Sequence, residues 1–311
     1  MRVFRGHLHA VPTPTAVAIG NFDGVHLGHA ALLRQLVTTA AVRGLTPTVL
    51  TFEPHPREFF SPTTAPARLS TLREKLELLA EQGVAQTMVC PFNHRFAALG
   101  AEDFVSVVLR DALRARYVVI GDDFRFGRGR DGDFALLQKM GAAAGFEVAA
   151  MGSVLRSGVR VSSSAVRAAL SAGDLSLAAA LLGRPYSMDG QVVRGQQLGR
   201  QIGFATANLR IKHNPLPLCG VFAVEVTGLG GAPLPGVANL GLRPTVGGTR
   251  PLLEVHLFDF SKDIYGAHIA VRFLKKLRDE QRFADFSALK AQIALDAAAA
   301  RDFFATADVD S

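Results

Sequence analysis

His26 and His29 close the run Gly20-Asn21-Phe22-Asp23-Gly24-Val25-His26-Leu27-Gly28-His29, and their types and spacing suit chemistry on an anion. Three residues apart on a helix, two side chains share a face. A helix N-terminus at that point would offer unpaired N–H groups and a positive dipole end to a phosphate. The glycines match neither G-x-G-x-x-G nor G-x-x-x-x-G-K-[ST], so the dinucleotide fingerprint and the P-loop are both excluded. Two other uses of the histidines stay open: a metal pair, or simple helix capping. Zinc normally takes three or four ligands. Neither Cys90 nor Cys219 is near in sequence and no H-E-x-x-H occurs, which weakens the metal reading.

Further polar clusters could serve the same anion. Arg160-Val161-Ser162-Ser163-Ser164-Ala165-Val166-Arg167 opens a helical pattern. Ser163, Ser164 and Arg167 would bind a triphosphate through hydroxyls and a guanidinium, and serines at a helix start are equally ordinary N-caps. Gly121-Asp122-Asp123-Phe124-Arg125-Phe126-Gly127 is a second polar, glycine-edged loop behind an apolar run. Glu53-Pro54-His55-Pro56 reads as a proline-fixed turn, with His55 either facing the same mouth or idle.

The second half of the chain carries a different set. Gly195, Gly199 and Gly203 recur at four-residue spacing with Arg200 between them, as in tight bends or a backbone that closely approaches a ligand. Just beyond, Thr206 and Asn208 point the same way if the backbone is extended. Their oxygens suit Mg²⁺, a hard ion commonly shared with substrate phosphates; a polar turn is the plain alternative. Glu254 interrupts an apolar strand pattern, where a carboxylate could accept a proton from an attacking hydroxyl or simply face solvent.

These residues need a scaffold, and the hydrophobic periodicity supplies one. Apolar runs at 16–19, 46–52, 87–92, 117–120 and 147–151 alternate with helical patterns, among them Leu32, Leu33 and Leu36, then Leu72, Leu76 and Leu79, then residues 101–115. Acids at 131–133 lead into another helix. Such alternation predicts a parallel, Rossmann-like α/β sheet. The loops at 20–29 and 121–127 then lie at the carboxyl ends of strands, where open α/β sheets bind ligands. Past Gly183-Arg184-Pro185 the pattern becomes short strands and turns, with Phe222, Val224 and Val226 alternating with polar or small residues, a second alternation at 253–258, and a strand at 270–274. That predicts a small antiparallel β-barrel. A terminal amphipathic helix shows Phe286, Leu289, Ile293, Ala297 and Phe304 on one face. The expected domains are residues 1–183 and 184–311.

Composition narrows the function class. A chain of 311 residues with two cysteines points to two globular domains without a disulfide framework. No apolar run approaches bilayer length, and the first residues lack a signal-peptide core, so a cytoplasmic setting is expected. The net charge of +7 suits anionic ligands. The basic residues are dispersed and there is no tryptophan, so nucleic-acid binding is not expected as the main function.

Together these stretches resemble the bacterial bifunctional riboflavin kinase/FMN adenylyltransferases, the FAD synthetases. The likeness is carried by G-N-F-D-G-V-H-L-G-H, T-F-E-P-H-P, G-D-D-F-R-F-G, S-S-S-A-V-R, G-F-A-T-A-N, G-V-A-N-L-G-L-R-P-T and L-E-V-H-L-F-D-F followed by D-I-Y-G, in order over nearly the whole chain. H-x-G-H marks the nucleotidylyltransferase superfamily, and the absence of K-M-S-K-S argues against an aminoacyl-tRNA synthetase. The resemblance implies a Rossmann-like nucleotidylyltransferase domain followed by a riboflavin kinase barrel. The barrel would phosphorylate riboflavin with ATP, and the first domain would join FMN to AMP from a second ATP, giving FAD and pyrophosphate. It implies that Asn21, Phe22, Asp23, Gly24, His26, Gly28, His29, Ser163, Ser164 and Arg167 handle the ATP of adenylyl transfer. Asp123, Phe126 and Arg160 fall on the FMN side. In the kinase, Gly195, Gly199, Arg200 and Gly203 form the nucleotide loop, Thr206 and Asn208 hold Mg²⁺, and Glu254 is the base. Partners are then small molecules only, with no obligate protein partner.

Departures are mild. The usual P-T-A-N is Ala205-Thr206-Ala207-Asn208, S-S-T is Ser162-Ser163-Ser164, and Asp123 stands where many relatives carry asparagine. Two other readings remain: a nucleotidylyltransferase acting on another phosphorylated compound, and a non-enzymatic flavin- or RNA-binding regulator.

Overall fold

The structure is a computed structural model that describes residues 1–6, 10–156, 158–195, 204–213, 215–245 and 248–307. The chain forms two compact units, Met1–Pro66 with Leu72–Ser162, and Ala67–Thr71 with Ser163–Ser311.

The first unit is built on a six-stranded sheet. Its strands are β1 (Arg2–Arg5), β2 (Thr15–Ile19), β3 (Thr46–Glu53), β4 (Gln86–Pro91), β5 (Ala115–Gly121) and β6 (Glu147–Met151). Their order is β1-β4-β3-β2-β5-β6, and every pairing is parallel. Helices cover both faces: α1 (Leu27–Arg43), α2 (Pro56–Phe60), α3 (Leu72–Glu81), α4 (His94–Ala97), α5 (Ala101–Asp103) with its π-helical continuation Phe104–Ala112, and α6 (Phe134–Ala144). All five residues of β2 are buried, as expected for a strand packed on both sides. Val17 and Ile19 meet the π-helical stretch, whereas Ala16 and Ala18 meet Leu32, Leu33 and Leu36 of α1. Thr15, the one polar residue of β2, gives its hydroxyl proton to the Leu113 carbonyl at 2.6 Å. A small hairpin, β7 (Leu155–Arg156) with β8 (Val159–Arg160), follows β6.

The second unit opens with α7 (Ser163–Ala172) and α8 (Leu175–Leu182), then closes six strands into a barrel. These are β9 (Tyr186–Val193), β10 (Ala207–Arg210), β11 (Gly220–Thr227), β12 (Leu234–Thr245), β13 (Gly248–Leu257) and β14 (His268–Arg278), in the order β10-β13-β12-β11-β14-β9. Phe222 and Phe273 meet edge to face inside, with ring centroids 5.2 Å apart. The final helix, α9 (Phe286–Ala307), lies on the outer face of the barrel, where Ala297 and Ala300 cover Val221, Ala223 and Val237. Asp296 of α9 is buried and takes two hydrogen bonds from the Arg278 guanidinium, both 2.8 Å long.

Three details differ from the sequence expectation. The helix expected at 101–115 ends at Ala112, because Ala115 already pairs in β5. The apolar face of α9 starts after Phe286, which is half exposed. An unforeseen strand, β1, adds an edge to the sheet beside β4.

Candidate active sites

In the first unit the strand order reverses at β2. The chain runs outward through β3 and β4, then returns to place β5 on the other side of β2. Ala18 pairs with Val119, so the loops after β2 and β5 leave the sheet side by side. Such a switch point is a crevice at the carboxyl edge of the sheet.

The loop after β2 is tightly specified. Phe22 (φ 49°), Gly24 (φ 79°) and Val25 (φ 39°) all lie in the left-handed region. That conformation is costly for a bulky residue. Phe22 and Val25 hold it because their side chains are buried in the core beneath α1. His26 then caps α1, its Nδ1 accepting the His29 N–H at 3.3 Å. Its ring stacks on that of His29, centroids 3.7 Å apart and planes 14° from parallel. Gly28 makes this possible, since a Cβ there would lie 3.2 Å from the His26 ring and 3.5 Å from the Val161 carbonyl. The glycine of H-x-G-H is thus a clearance for the first histidine.

Of the readings open for His26, helix capping is the one its Nδ1 serves. His29 is held well below the ordinary histidine pKa, first by burial, then by His26 and by Lys75. Lys75 is a buried cation on α3 that sequence reading did not single out. His29 Nδ1 and Asn21 Oδ1 are buried and have no hydrogen-bond partner among the described residues. Buried polar atoms are normally satisfied by protein, ordered water or a bound group. Asp23 is also buried, and the Asn21 carbonyl accepts the Thr51 hydroxyl at 3.2 Å.

Arg160 on β8 spans the loop after β5, with Nη2 3.3 Å from both Asp122 Oδ1 and Asp123 Oδ2. The Ser153 hydroxyl also donates to Asp122, at 3.0 Å. These exposed pairs contribute little to stability, at most about 1 kcal/mol each. They set Asp123 and Arg160 side by side. Phe126 is buried against Phe104 and leaves Phe124, stacked on it, as the more accessible ring. His55 is spent on a capping box: its Nδ1 accepts from the Arg57 N–H, and its own N–H donates to Glu58.

Sequence reading also missed an aromatic group at the carboxyl ends of β3 and β4. Phe59, Phe60 and Phe92 meet pairwise edge to face at 5.2–5.6 Å, with Phe52 and Phe96 beneath Phe92. Phe60 is 65% exposed. The only trace in the chain is the pair Phe59-Phe60 soon after T-F-E-P-H-P. Ser163 and Ser164 open α7 in the second unit, and Arg167 one turn on donates from Nε to the Ala67 carbonyl at 2.6 Å.

The barrel gathers its polar residues through strand register. Asn208 of β10 pairs with Glu254 of β13, which pairs on its other side with Asn239 of β12. Residues directly opposite in antiparallel strands lie on one face with Cβ atoms about 5 Å apart. Leu253 and Val255 flank Glu254 and are fully buried, so the polar row is on the opposite, outer face. Asn208 is nonetheless buried there, because the backbone at Gly195 lies directly on its amide and a Cβ at Gly195 would overlap it. Burial raises the Glu254 carboxyl above the ordinary glutamate value, and Arg243 opposes the shift. Glu280 extends the row: Asn239 hydrogen-bonds to its carboxylate, which lies against the bare backbone of Gly241. Thr206 stands two residues before Asn208, half buried. Gly199, Arg200 and Gly203 lie outside the described residues.

Comparison with known proteins matches both halves. The family model for FAD synthetase covers residues 8–165, and that for riboflavin kinase covers residues 182–304. A curated protein of Escherichia coli K12, named bifunctional riboflavin kinase/FMN adenylyltransferase, is 52% identical over 98% of each chain. One of the same name from Haemophilus influenzae is 45% identical over 98% of this chain and 99% of its own. A crystal structure described as a macrolide-efflux protein from Streptococcus pneumoniae has 28% identity. It superposes with a TM-score of 0.81 over 95% of this chain and 97% of that one.

Proposed function

Since the chain belongs to the family of bifunctional riboflavin kinase/FMN adenylyltransferases, we propose that its two reactions run at the two polar sites described above. It is a transferase that phosphorylates riboflavin to FMN with ATP, then adenylylates FMN to FAD with release of pyrophosphate.

The kinase step is assigned to the row on the barrel. Riboflavin's primary alcohol is a poor nucleophile, and Glu254, with its raised proton affinity, is suited to take the proton as the hydroxyl attacks the γ-phosphorus of ATP. The hydroxyl of Thr206 and the amide oxygen of Asn208 are hard donors that fit Mg²⁺, and the Gly195 backbone shapes a cradle around the amide. Among the described residues no group of three or more His, Cys, Asp or Glu is placed to hold a metal. A cation held by Thr206 and Asn208 would share substrate phosphate oxygens, as Mg²⁺ commonly does, and when bound it would neutralise charge on the transferring group. Gly195, Gly199, Arg200 and Gly203 are assigned to the nucleotide loop.

Adenylyl transfer is assigned to the switch-point crevice. FMN's phosphate oxygen is already a competent nucleophile, so the site must position the two phosphates and disperse charge. His26 and His29 are assigned to the ATP phosphates for this task, with Asn21, Phe22, Asp23, Gly24 and Gly28 forming the loop that holds them. Asp123, Phe126 and Arg160 are assigned to the FMN side, and Ser163, Ser164 and Arg167 to the ATP phosphates. The functional boundary is placed between residues 183 and 184, although α7 and α8 cluster with the barrel.

The enzyme is further taken to be cytoplasmic and to need neither nucleic acid, membrane nor obligate protein partner. Both cysteines are free thiols, in keeping with a reducing setting, and no described helix is long and apolar enough to cross a membrane.

The pairing of Glu254 with Asn208 carries the kinase assignment. Its test is to supply riboflavin, ATP and Mg²⁺ and separate the flavins by chromatography. Glu254→Gln should yield no FMN yet convert added FMN to FAD. His26→Ala should stop at FMN. Loss of both steps in both folded variants would refute the separation.

A further inference from the structure

The kinase assignment leaves Thr206 unexplained as a ligand, because β10 begins only at Ala207. The β10–β13 register pairs Ala207 with Val255 and Asn208 with Glu254, so one step further Thr206 stands opposite His256. No ladder bond continues there. The His256 side chain takes over: its Nδ1 is 2.9 Å from the carbonyl oxygen of Ala205, the residue before Thr206. A carbonyl can only accept, so Nδ1 carries the proton.

The same imidazole packs on both sides. It meets Phe204 edge to face at 5.2 Å and Phe258 at 5.8 Å. Phe204 in turn packs against the cluster formed by Val221, Ala223, Val237, Phe258 and the α9 residues Ala297 and Ala300. Residues 204–206 are thus tied to β13 by one hydrogen bond and to the barrel's outer core by one ring. His256 sits two residues from Glu254, on the same face of β13. One strand therefore carries both the carboxylate and the clamp on the segment that presents Thr206.

We propose that His256 is a positioning residue of the kinase site, fixing the Thr206 hydroxyl beside Asn208 by holding the Ala205 carbonyl. This rests on the assignment of Thr206 and Asn208 to Mg²⁺ and phosphate binding. Without the clamp, Asn208 stays in its ladder and Glu254 stays opposite it, while Thr206 is released. The expected loss is in Mg²⁺ and ATP handling, with riboflavin binding and adenylyl transfer spared.

The test compares His256→Phe, which keeps ring packing but has no donor, with His256→Asn, whose amide nitrogen overlays Nδ1. Riboflavin phosphorylation is measured against Mg²⁺ concentration in the full chain. His256→Phe should raise the half-saturating Mg²⁺ about tenfold, within the range found when a partner of a metal ligand is removed. Its KM for riboflavin and its conversion of added FMN to FAD should not move. Hydrogen–deuterium exchange should quicken in residues 204–210 and stay constant in β11. His256→Asn should restore both readouts. A wild-type Mg²⁺ dependence in His256→Phe, or no recovery in His256→Asn, overturns the proposal. Should His256→Phe fail to fold, His256→Gln replaces it: its amide overlays Nε2, so it should behave as the unclamped protein, and equal behaviour of Gln and Asn variants overturns the proposal. Thr206→Val separates this from its premise. If that variant binds Mg²⁺ and ATP normally, the assignment of Thr206 falls; if it is impaired and His256→Phe is not, only the clamp falls.

Discussion

Asn208 and Glu254 stand directly opposite each other on β10 and β13. The pair joins an amide oxygen suited to a hard cation to a carboxylate suited to a proton, about 5 Å apart at Cβ as in any antiparallel cross-strand pair. Its neighbours are as important as its members. Gly195 covers the amide, and Asn239 and Glu280 continue the polar row beyond the carboxylate.

Two glycines control the two sites through clearance alone. Gly28→Ala places a methyl 3.2 Å from the His26 ring, so that ring must shift by a few tenths of an ångström on its stack with His29. FAD formation from added FMN should fall by an order of magnitude or more, while riboflavin phosphorylation is kept. Gly195→Ala overlaps the Asn208 amide and should do the reverse. Assaying each step separately in both variants checks this; equal loss of both steps in either would contradict it.

Burial raises the Glu254 pKa and Arg243 opposes it, so the acid limb of kinase activity should lie above the ordinary glutamate range. Arg243→Gln should move the limb higher still. The stability linkage has the opposite sense to that of a salt-bridged carboxylate. With the folded pKa raised, Glu254 favours folding below its unfolded pKa, and that contribution is lost as pH rises through the folded value. Glu254→Gln should therefore gain in Tm relative to wild type at pH 7 compared with pH 4. pH–rate profiles and thermal melts at the two pH values are the measurements.

His29 is held low by burial, His26 and Lys75, and should be neutral at pH 7. Its ring protons should show no titration near pH 6.5 in NMR spectra. Lys75→Met removes one of the depressing charges and should raise the midpoint. Because the folded pKa is lowered, the associated stability is present above the unfolded value and lost as pH falls through the folded one. A midpoint at or above 6.5 would contradict the packing described.

Phe60 is 65% exposed yet contacts Phe59 and Phe92. An exposed ring at the carboxyl edge of a sheet suits stacking on the flat face of FMN. Phe60→Ala should raise the KM for FMN about fivefold, equivalent to roughly 1 kcal/mol of aromatic contact. Tm should change little, since the ring is largely in solvent. An unchanged KM would show that Phe60 does not stack on FMN.

What the chain revealed by itself was local. The run Ala16-Val17-Ala18-Ile19, the glycine loop and the leucines of α1 specify strand, turn and helix through contacts within a few residues, so the loop with His26 and His29 was legible. The period-two pattern around Glu254 likewise placed it on the face opposite Leu253 and Val255. The tertiary structure decided which distant residues meet. Asn239 beside Glu254, Glu280 beside Asn239, Lys75 beside His29, His256 on the Ala205 carbonyl and Phe92 against Phe59 and Phe60 carry no local signal. Their meeting depends on strand register and strand order, which are set by closing the barrel and burying both faces of the sheet at once. A side-chain period can be read along one strand, but the partner across the ladder is chosen only when the whole core packs.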